Sequence, residues 1–168
     1  SPTEDLETLL DMSELTFQRQ GKALPYPRDL ARRLDKAIQE NSNRVIVVAR
    51  DSKTGRPHAA NYTFGDDKRV YALMSGADPD LRQSGAGVAA RWEAIKWAHS
   101  FSSLFDFEGS MVQGVEHRNR KYGTTQVPYF AISKSNGKLE AYEDRRRRLR
   151  APVLAAWRLK ERALKPFR

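Results

Sequence analysis

Cysteine is absent from the 168 residues, which excludes a disulfide framework, a thiolate nucleophile and a Cys-based zinc site. No apolar run reaches the roughly 20 residues of a membrane-spanning helix, and no basic-then-apolar leader opens the chain. A cytoplasmic protein is therefore expected. Histidine is scarce, with only His58, His99 and His117. None of them stands in metal-ligand spacing such as His-x-x-x-His, so no metal is expected. Acidic charge is short as well: 21 Asp and Glu against 30 Lys and Arg leave a net charge of +9. The excess is local. Residues 138–168 hold 11 basic and 4 acidic residues, a net +7, while residues 1–137 hold 19 and 17, a net +2. Aromatic residues are not interleaved with the basic ones, as a single-strand nucleic-acid platform requires. The chain divides on this basis into a nearly balanced domain, 1–137, and a basic tail, 138–168.

What is present has a clear order. Leu6, Leu9, Leu10, Met12 and Phe17 give a helical stripe over residues 3–20. Thr3 is a candidate cap, with Asp5 and Glu7 in the first turn. Gly21 and Pro25-Tyr26-Pro27 end that stretch. Residues 28–41 read as a second helix with Leu30, Leu34, Ala37 and Ile38 on one face. The period then changes. Val45–Ala49 is a β-branched run suited to a strand buried on both faces. His58–Phe64 and Arg69–Gly76 are further strands, and the short turns between the three imply an antiparallel meander. A helix follows over Val88–Phe101, with Val88, Trp92, Ile95 and His99 on its inner face. Leu104–Glu108 is a short strand, residues 114–122 a short helix, and Val127–Ser133 a last strand, irregular or at an edge because of Pro128.

The most informative stretch is Asp78-Pro79-Asp80-Leu81-Arg82-Gln83-Ser84-Gly85-Ala86-Gly87. It carries two glycines between a strand and a helix. Glycine lets backbone approach a ligand, and a helix N-terminus offers free N–H groups and a positive dipole end. Together these suit an anion, most simply a phosphate. The dinucleotide fingerprint fits this loop less well. Its third glycine falls on Ala90, a tolerated variant, and its distal acidic residue would be Asp106 or Glu108. The meander excludes it, because that loop follows the first strand of a parallel sheet.

Pro79, Arg82, Gly85 and Gly87 in this order resemble the acyl-CoA pyrophosphate loop of the GNAT acyltransferase superfamily. The resemblance spans about residues 5–133 and implies a GNAT-like α+β fold, with a mixed, largely antiparallel sheet flanked by helices. The family's first strand has no counterpart, so it is expected upstream or replaced, and the chain is expected to be one domain of a longer tandem protein. A narrower resemblance is to the Fem-type branch, which includes peptidoglycan-bridge transferases. It rests on Trp92–Ala98, on Asp106-Phe107-Glu108-Gly109 for the branch's Asp-Phe-Gly-Gly, and on Lys121-Tyr122-Gly123. Glu108 replaces a glycine there, and Arg118-Asn119 replaces Phe-Lys.

The resemblance implies acyl transfer from acetyl-CoA or another acyl-CoA to an amine. Arg82, Gln83, Ser84, Gly85, Ala86 and Gly87, with the N–H of Val88, would hold the pyrophosphate. Gly76 and Ala77 would align the pantetheine arm and give an N–H to the thioester carbonyl. Asn119 stands where many members have the tyrosine that protonates the thiolate. Asp106 and Glu108, alternating onto one strand face, are candidates for the base and its orienting group; His117 beside Glu116, and Tyr122, are the others. The acceptor would be a small-molecule or cell-wall-precursor amine. Two other functions stand beside this one: a Fem-type transferase using aminoacyl-tRNA, and a non-catalytic GNAT-like binding module. The tail, with Arg145–Arg148, Arg150 and an amphipathic pattern from Pro152, suits a tRNA or an anionic membrane at the inner surface. A docked helix with a solvated basic face is the plainer alternative.

Overall fold

A computed structural model describes residues 2–3, 6–109 and 113–128, together with 130, 132, 134, 137, 141 and 142. The chain falls into two units, residues 1–124 and 125–168. The first unit runs β1 (Pro2–Thr3), α1 (Leu6–Gln18), α2 (Arg28–Asn41), β2 (Asn43–Arg50), β3 (Pro57–Gly65), β4 (Val70–Ala77), a 3-10 turn (Pro79–Ser84), α3 (Ala86–His99), β5 (Phe105–Asp106) and α4 (Gln113–Arg120).

The sheet order is β1-β2-β3-β4-β5. β2, β3 and β4 form the antiparallel meander, and β5 runs parallel to β4. Thr3 lies in a strand instead of capping α1: Pro2 and Thr3 pair antiparallel with Val47 and Ile46. This two-residue strand stands at the sheet edge beside β2.

β2 shows why a continuous β-branched run marks a central strand. Ile46 and Val48 face one core with Leu9, Met12, Ile38 and Tyr62. Val45 and Val47 face a second core with Ala90 and Ala94 of α3. Alternating side chains point to opposite faces, so α1 and α2 cover one face of β2 and α3 the other.

Two helices present a different face from the one expected. α2 buries Ala31, Asp35 and Ile38, while Leu30 and Leu34 are exposed. α3 buries Ala90, Ala94 and Ala98 together with Arg91; Val88 and Trp92 are 55% and 52% exposed, and His99 is exposed too. Small side chains let the helix backbone sit close to the bulky Val45 and Val47, which a Val-Trp face would hold off.

Asp35 is buried because β2 and β3 bring partners to it. Tyr62 Oη donates to Oδ1 at 2.6 Å, Gln39 Nε2 donates to Oδ2 at 2.6 Å, and Arg44 Nε lies 3.0 Å from Oδ1, without the alignment of a hydrogen bond. On the outside, Arg28 and Arg32 of α2 clasp Glu7 of α1.

The strand expected over 127–133 is absent at its described residues 127, 128, 130 and 132; residues 129, 131 and 133 lie outside the described set. Of the basic tail only Ala141 and Tyr142 are described, both helical. The arginine run at 145–150 and the pattern from Pro152 lie outside the described residues. Among the described residues no helix is long and apolar enough to cross a membrane.

Candidate active site

β4 pairs with β5 only at Val70–Phe105 and Tyr71–Asp106. Just beyond, the register of β3 and β4 shifts, with Tyr62 opposite Met74 but Thr63 opposite Ala72. The extra residue, Leu73, is a bulge, which bends a strand. Past this bulge, Ser75, Gly76 and Ala77 at the end of β4, with Thr16 of α1, Asn61 of β3, Arg91 of α3 and Arg118 of α4, line a cleft of about 160 Å³.

The glycine turn stands at one end of this cleft. Asp78 anchors it: its carboxylate accepts from the Asp80 N–H at 2.9 Å and pairs with Arg56, while its own N–H donates to the His58 carbonyl at 2.9 Å. Arg56 holds the Asp78 carboxyl below the usual aspartate range, helped by the Asp80 N–H. Pro79 opens the 3-10 turn, where its missing N–H costs nothing.

The three glycines here have three different reasons. Gly85 has φ +73°, a left-handed conformation that any other residue holds under strain. Gly76 lies under α1: a Cβ there would come within 2.2 Å of the Met12 and Ser13 backbone. Its lack of a side chain is explained by helix packing before any ligand. Gly87 is different. Its nearest neighbour to an added Cβ is Ala59 Cβ at 4.0 Å, so neither packing nor φ demands glycine. A bare backbone facing a cleft is what an approaching phosphate would use.

Of the candidate binding residues, Gly76, Ala77, Arg82 and Gly87 line the cleft. Gln83 and Ser84 of the turn, Gly85 after it and Ala86 at the start of α3 do not line it. Two expected donors are already engaged. The Val88 N–H donates to the Gly85 carbonyl at 3.0 Å. The Ala77 N–H donates to Thr16 Oγ1 at 2.9 Å, because α1 lays Thr16 across the end of β4. Neither is free for a phosphate or a thioester oxygen.

The candidate catalytic residues separate. His117 is exposed and lies with Glu116 and Arg120 in another depression, where Arg120 takes the Glu116 carboxylate. It is not at the cleft. Asp106 is spent on structure: Oδ1 accepts the Glu108 N–H at 2.8 Å, and Oδ2 pairs with Arg69 at 3.3 Å. Tyr122 does line the cleft, half-buried, with its ring 5.3 Å from that of Phe107. Desolvation raises its phenol, with Arg91 and Arg118 opposing.

Glu108 is exposed and does not line the cleft; it has φ +56°, the one left-handed non-glycine among the described residues. The conformation costs about 1–2 kcal/mol, and Asp106 holds it by accepting the Glu108 N–H. Desolvation raises the Glu108 carboxyl first and the Asp106 charge second, while Arg91 opposes.

Arg91 was not anticipated. It is 8% exposed, lines the cleft, and its Nη1 is buried without a hydrogen-bond partner. Phe107 lies under it, 6.0 Å from guanidinium carbon to ring centre. Burial pulls it down to about 10, with Arg118 adding to the effect and Tyr122 and Glu108 opposing. The signal was present: Gly87, Arg91, Ala94 and Ala98 share one helical face on which Arg91 is the only long side chain.

Comparison with known proteins fits this geometry. A family model described as an acetyltransferase (GNAT) domain matches residues 2–109, well over half of the chain. The chain belongs to the GNAT acetyltransferase family. No curated protein matches it significantly. Among solved structures, AAC(6')-Iy in complex with a bisubstrate analog, CoA-S-monomethyl-acetylneamine, is similar at a TM-score of 0.61 and 10% identity, over 81% of this chain and 96% of that one. An aminoglycoside 6'-N-acetyltransferase from Acinetobacter haemolyticus has a TM-score of 0.56 and 13% identity, over 81% and 96%. Glucosamine-6-phosphate N-acetyltransferase from Arabidopsis thaliana has 0.55 and 13%, over 80% and 95%. At such identities the likeness is one of fold. The GNAT assignment makes the chain an acyltransferase. Among the described residues no group of three or more His, Cys, Asp or Glu could hold a metal.

Proposed function

We propose that this GNAT domain transfers an acyl group from acyl-CoA to an amine in the cleft at the end of β4. The observation that carries the reading is Gly87: a glycine facing the cleft that neither packing nor φ requires, beside Arg82. These two, with the turn held by Asp78, would hold the pyrophosphate. Acyl-CoA, when bound, supplies an electrophilic thioester carbonyl.

The chain's own residues account for the protons. Glu108 is the base that removes a proton from the acceptor's ammonium, so that the amine nitrogen can form the new N–C bond. Desolvation of its carboxyl brings the base closer to the pKa of its task. As the C–S bond breaks, the electron pair leaves on sulfur, and Tyr122 is the group that supplies a proton to it. A phenol raised by desolvation is protonated at neutral pH and suits that role. Tyr122 thus takes the part that Asn119 cannot.

One observation favours placing the chain near the Fem-type branch. The left-handed backbone falls on Glu108, where that branch has its first glycine after Asp-Phe. A left-handed position that carries a carboxylate in place of that glycine is consistent with a Fem-type scaffold adapted to acid–base work. An aminoacyl-tRNA donor and a cell-wall-precursor acceptor are the corresponding extension, with tRNA or membrane contact through residues 145–168.

The reading is tested by incubating the full chain with acetyl-CoA and a panel of small amines, including aminoglycosides and amino sugars. We expect free thiol and acetylated amine in equal amounts for at least one acceptor. Thiol release no faster than in buffer with every acceptor rejects the reading.

A further inference from the structure

Six of the twelve arginines in residues 1–124 are matched by carboxylates. Arg28, Arg32, Arg44, Arg56, Arg69 and Arg120 all sit in ion pairs. The arginines lining the cleft, Arg19, Arg82, Arg91 and Arg118, make no ion pair among the described residues. Glu108 is the carboxylate whose charge Arg91 feels, yet the two form no ion pair.

Like charges collected without counter-charges raise the free energy of the apo cleft, and an anionic ligand lowers it. Two locations are distinguishable. Arg82 belongs to the turn before α3. Arg91 lies five residues into α3, about 7–8 Å along its axis, where the Phe107 ring lies under it, Tyr122 and Arg118 line the same cleft, and the Glu108 charge reaches it. The turn accounts for the pyrophosphate. It leaves unexplained a buried guanidinium whose Nη1 has no partner, next to the candidate base.

Resting on the acyltransferase reading, we propose that Arg91 and Arg118 form a second anion subsite, which binds a carboxylate or phosphate group carried by the acceptor amine. The acceptor class is then an amine bearing its own oxyanion, such as an amino acid or an amino-sugar phosphate. The planar guanidinium of Arg91 offers paired N–H donors to such a group. Binding there sets the amine beside Glu108.

Inorganic phosphate is the probe, titrated into the full chain with and without saturating CoA. We expect phosphate to bind the CoA-saturated protein, and its affinity to fall roughly tenfold or more in Arg91→Met and in Arg118→Gln, the loss of one charge-assisted hydrogen bond. CoA affinity should change less than threefold in both variants. Arg91→Met should also be no less stable than the parent, since an apolar group of similar shape replaces an unpaired buried charge. Arg118→Gln alters an exposed residue and keeps the test valid should Arg91→Met fold poorly. Phosphate displaced by CoA, or phosphate affinity unchanged in Arg118→Gln, overturns the subsite. Failure of CoA itself to bind, with phosphate binding intact, is a different result: it rejects the acyltransferase reading and leaves an anion site.

Discussion

Glu108→Gln lowers kcat for acyl transfer by roughly 10²–10⁴-fold, the usual contribution of a positioned general base, with little change in acetyl-CoA affinity. Glu108→Gly separates chemistry from structure more sharply. It removes the base, so activity falls by a similar factor. It also removes a strained conformation worth about 1–2 kcal/mol, against about 0.4–1 kcal/mol of added freedom in the unfolded glycine variant. Stability is therefore unchanged or higher by up to ~1.5 kcal/mol. A residue conserving only the turn would show the opposite: stability altered and rate intact.

The pH dependence follows from the same group. The base works deprotonated, so kcat/KM falls as pH drops through its raised value, and this acid limb lies above the ordinary glutamate range. For stability the sign is reversed from the common carboxylate case. The folded state binds the Glu108 proton more tightly than the unfolded state, so its contribution is fully present below the unfolded value and is lost as pH rises through the folded one. Glu108→Gln abolishes both effects. Rate profiles and melting curves across the acid range measure them, and an acid limb that persists in Glu108→Gln contradicts the assignment.

Asp35→Ala destabilises the fold by about 3–5 kcal/mol, because it leaves Arg44 as a buried charge without its carboxylate. The guanidinium side of that pair is 6% exposed, and Tyr62, fully buried, loses its acceptor as well. Against a typical total of about 5–15 kcal/mol, this is a large share. Tyr62→Phe removes one hydrogen bond and costs less, about 0.5–1.5 kcal/mol. Replacing Asp35 and Arg44 together by Leu and Met is milder than Asp35→Ala alone, since no charge is then left buried. Urea denaturation of the four proteins decides this; an Asp35→Ala variant within 1 kcal/mol of the parent would show that the cluster does not hold α2 to the sheet.

Asp35 also shows what local pattern could and could not reveal. The meander was legible because the β-branched run of β2 and two further strand-length stretches are separated by short turns carrying glycine and aspartate, all local signals. The glycine turn was legible because Pro79, Arg82, Gly85 and Gly87 lie within nine residues. The faces of α2 and α3 were not, because two stripes on each helix have helical spacing, and size favoured the wrong one. Leu30 and Leu34 outweigh Ala31 and Asp35 on hydrophobicity, yet the partners that make Asp35 buriable, Arg44 and Tyr62, come from other elements. Val88 and Trp92 outweigh Ala90 and Ala94 in the same way.

The site divides along the same line. Arg82 and Gly87 were found from local order. The occupation of the Ala77 N–H was not, because Thr16 lies 61 residues away in the chain. Tyr122 and Glu108 were candidates by proximity to a short strand and a turn. The structure gives each a distinguishing feature, a cleft-lining position for Tyr122 and a left-handed backbone for Glu108. His117 and Asp106 were equally plausible as types of residue; the helix phase of α4 and the pairing with Arg69 take them elsewhere.

The cleft as an acyl-CoA site is tested most directly by calorimetric titration of acetyl-CoA into the full chain and into Gly87→Glu. Gly87 is exposed, and a Cβ there meets nothing closer than 4.0 Å, so the variant folds. Its carboxylate enters the space assigned to the pyrophosphate. The prediction is one-to-one binding to the parent, with Kd in the range of about 1 μM to 1 mM usual for enzyme substrates, weakened roughly tenfold or more in Gly87→Glu by like-charge repulsion. Equal binding by the two proteins, or no binding by the parent, contradicts it.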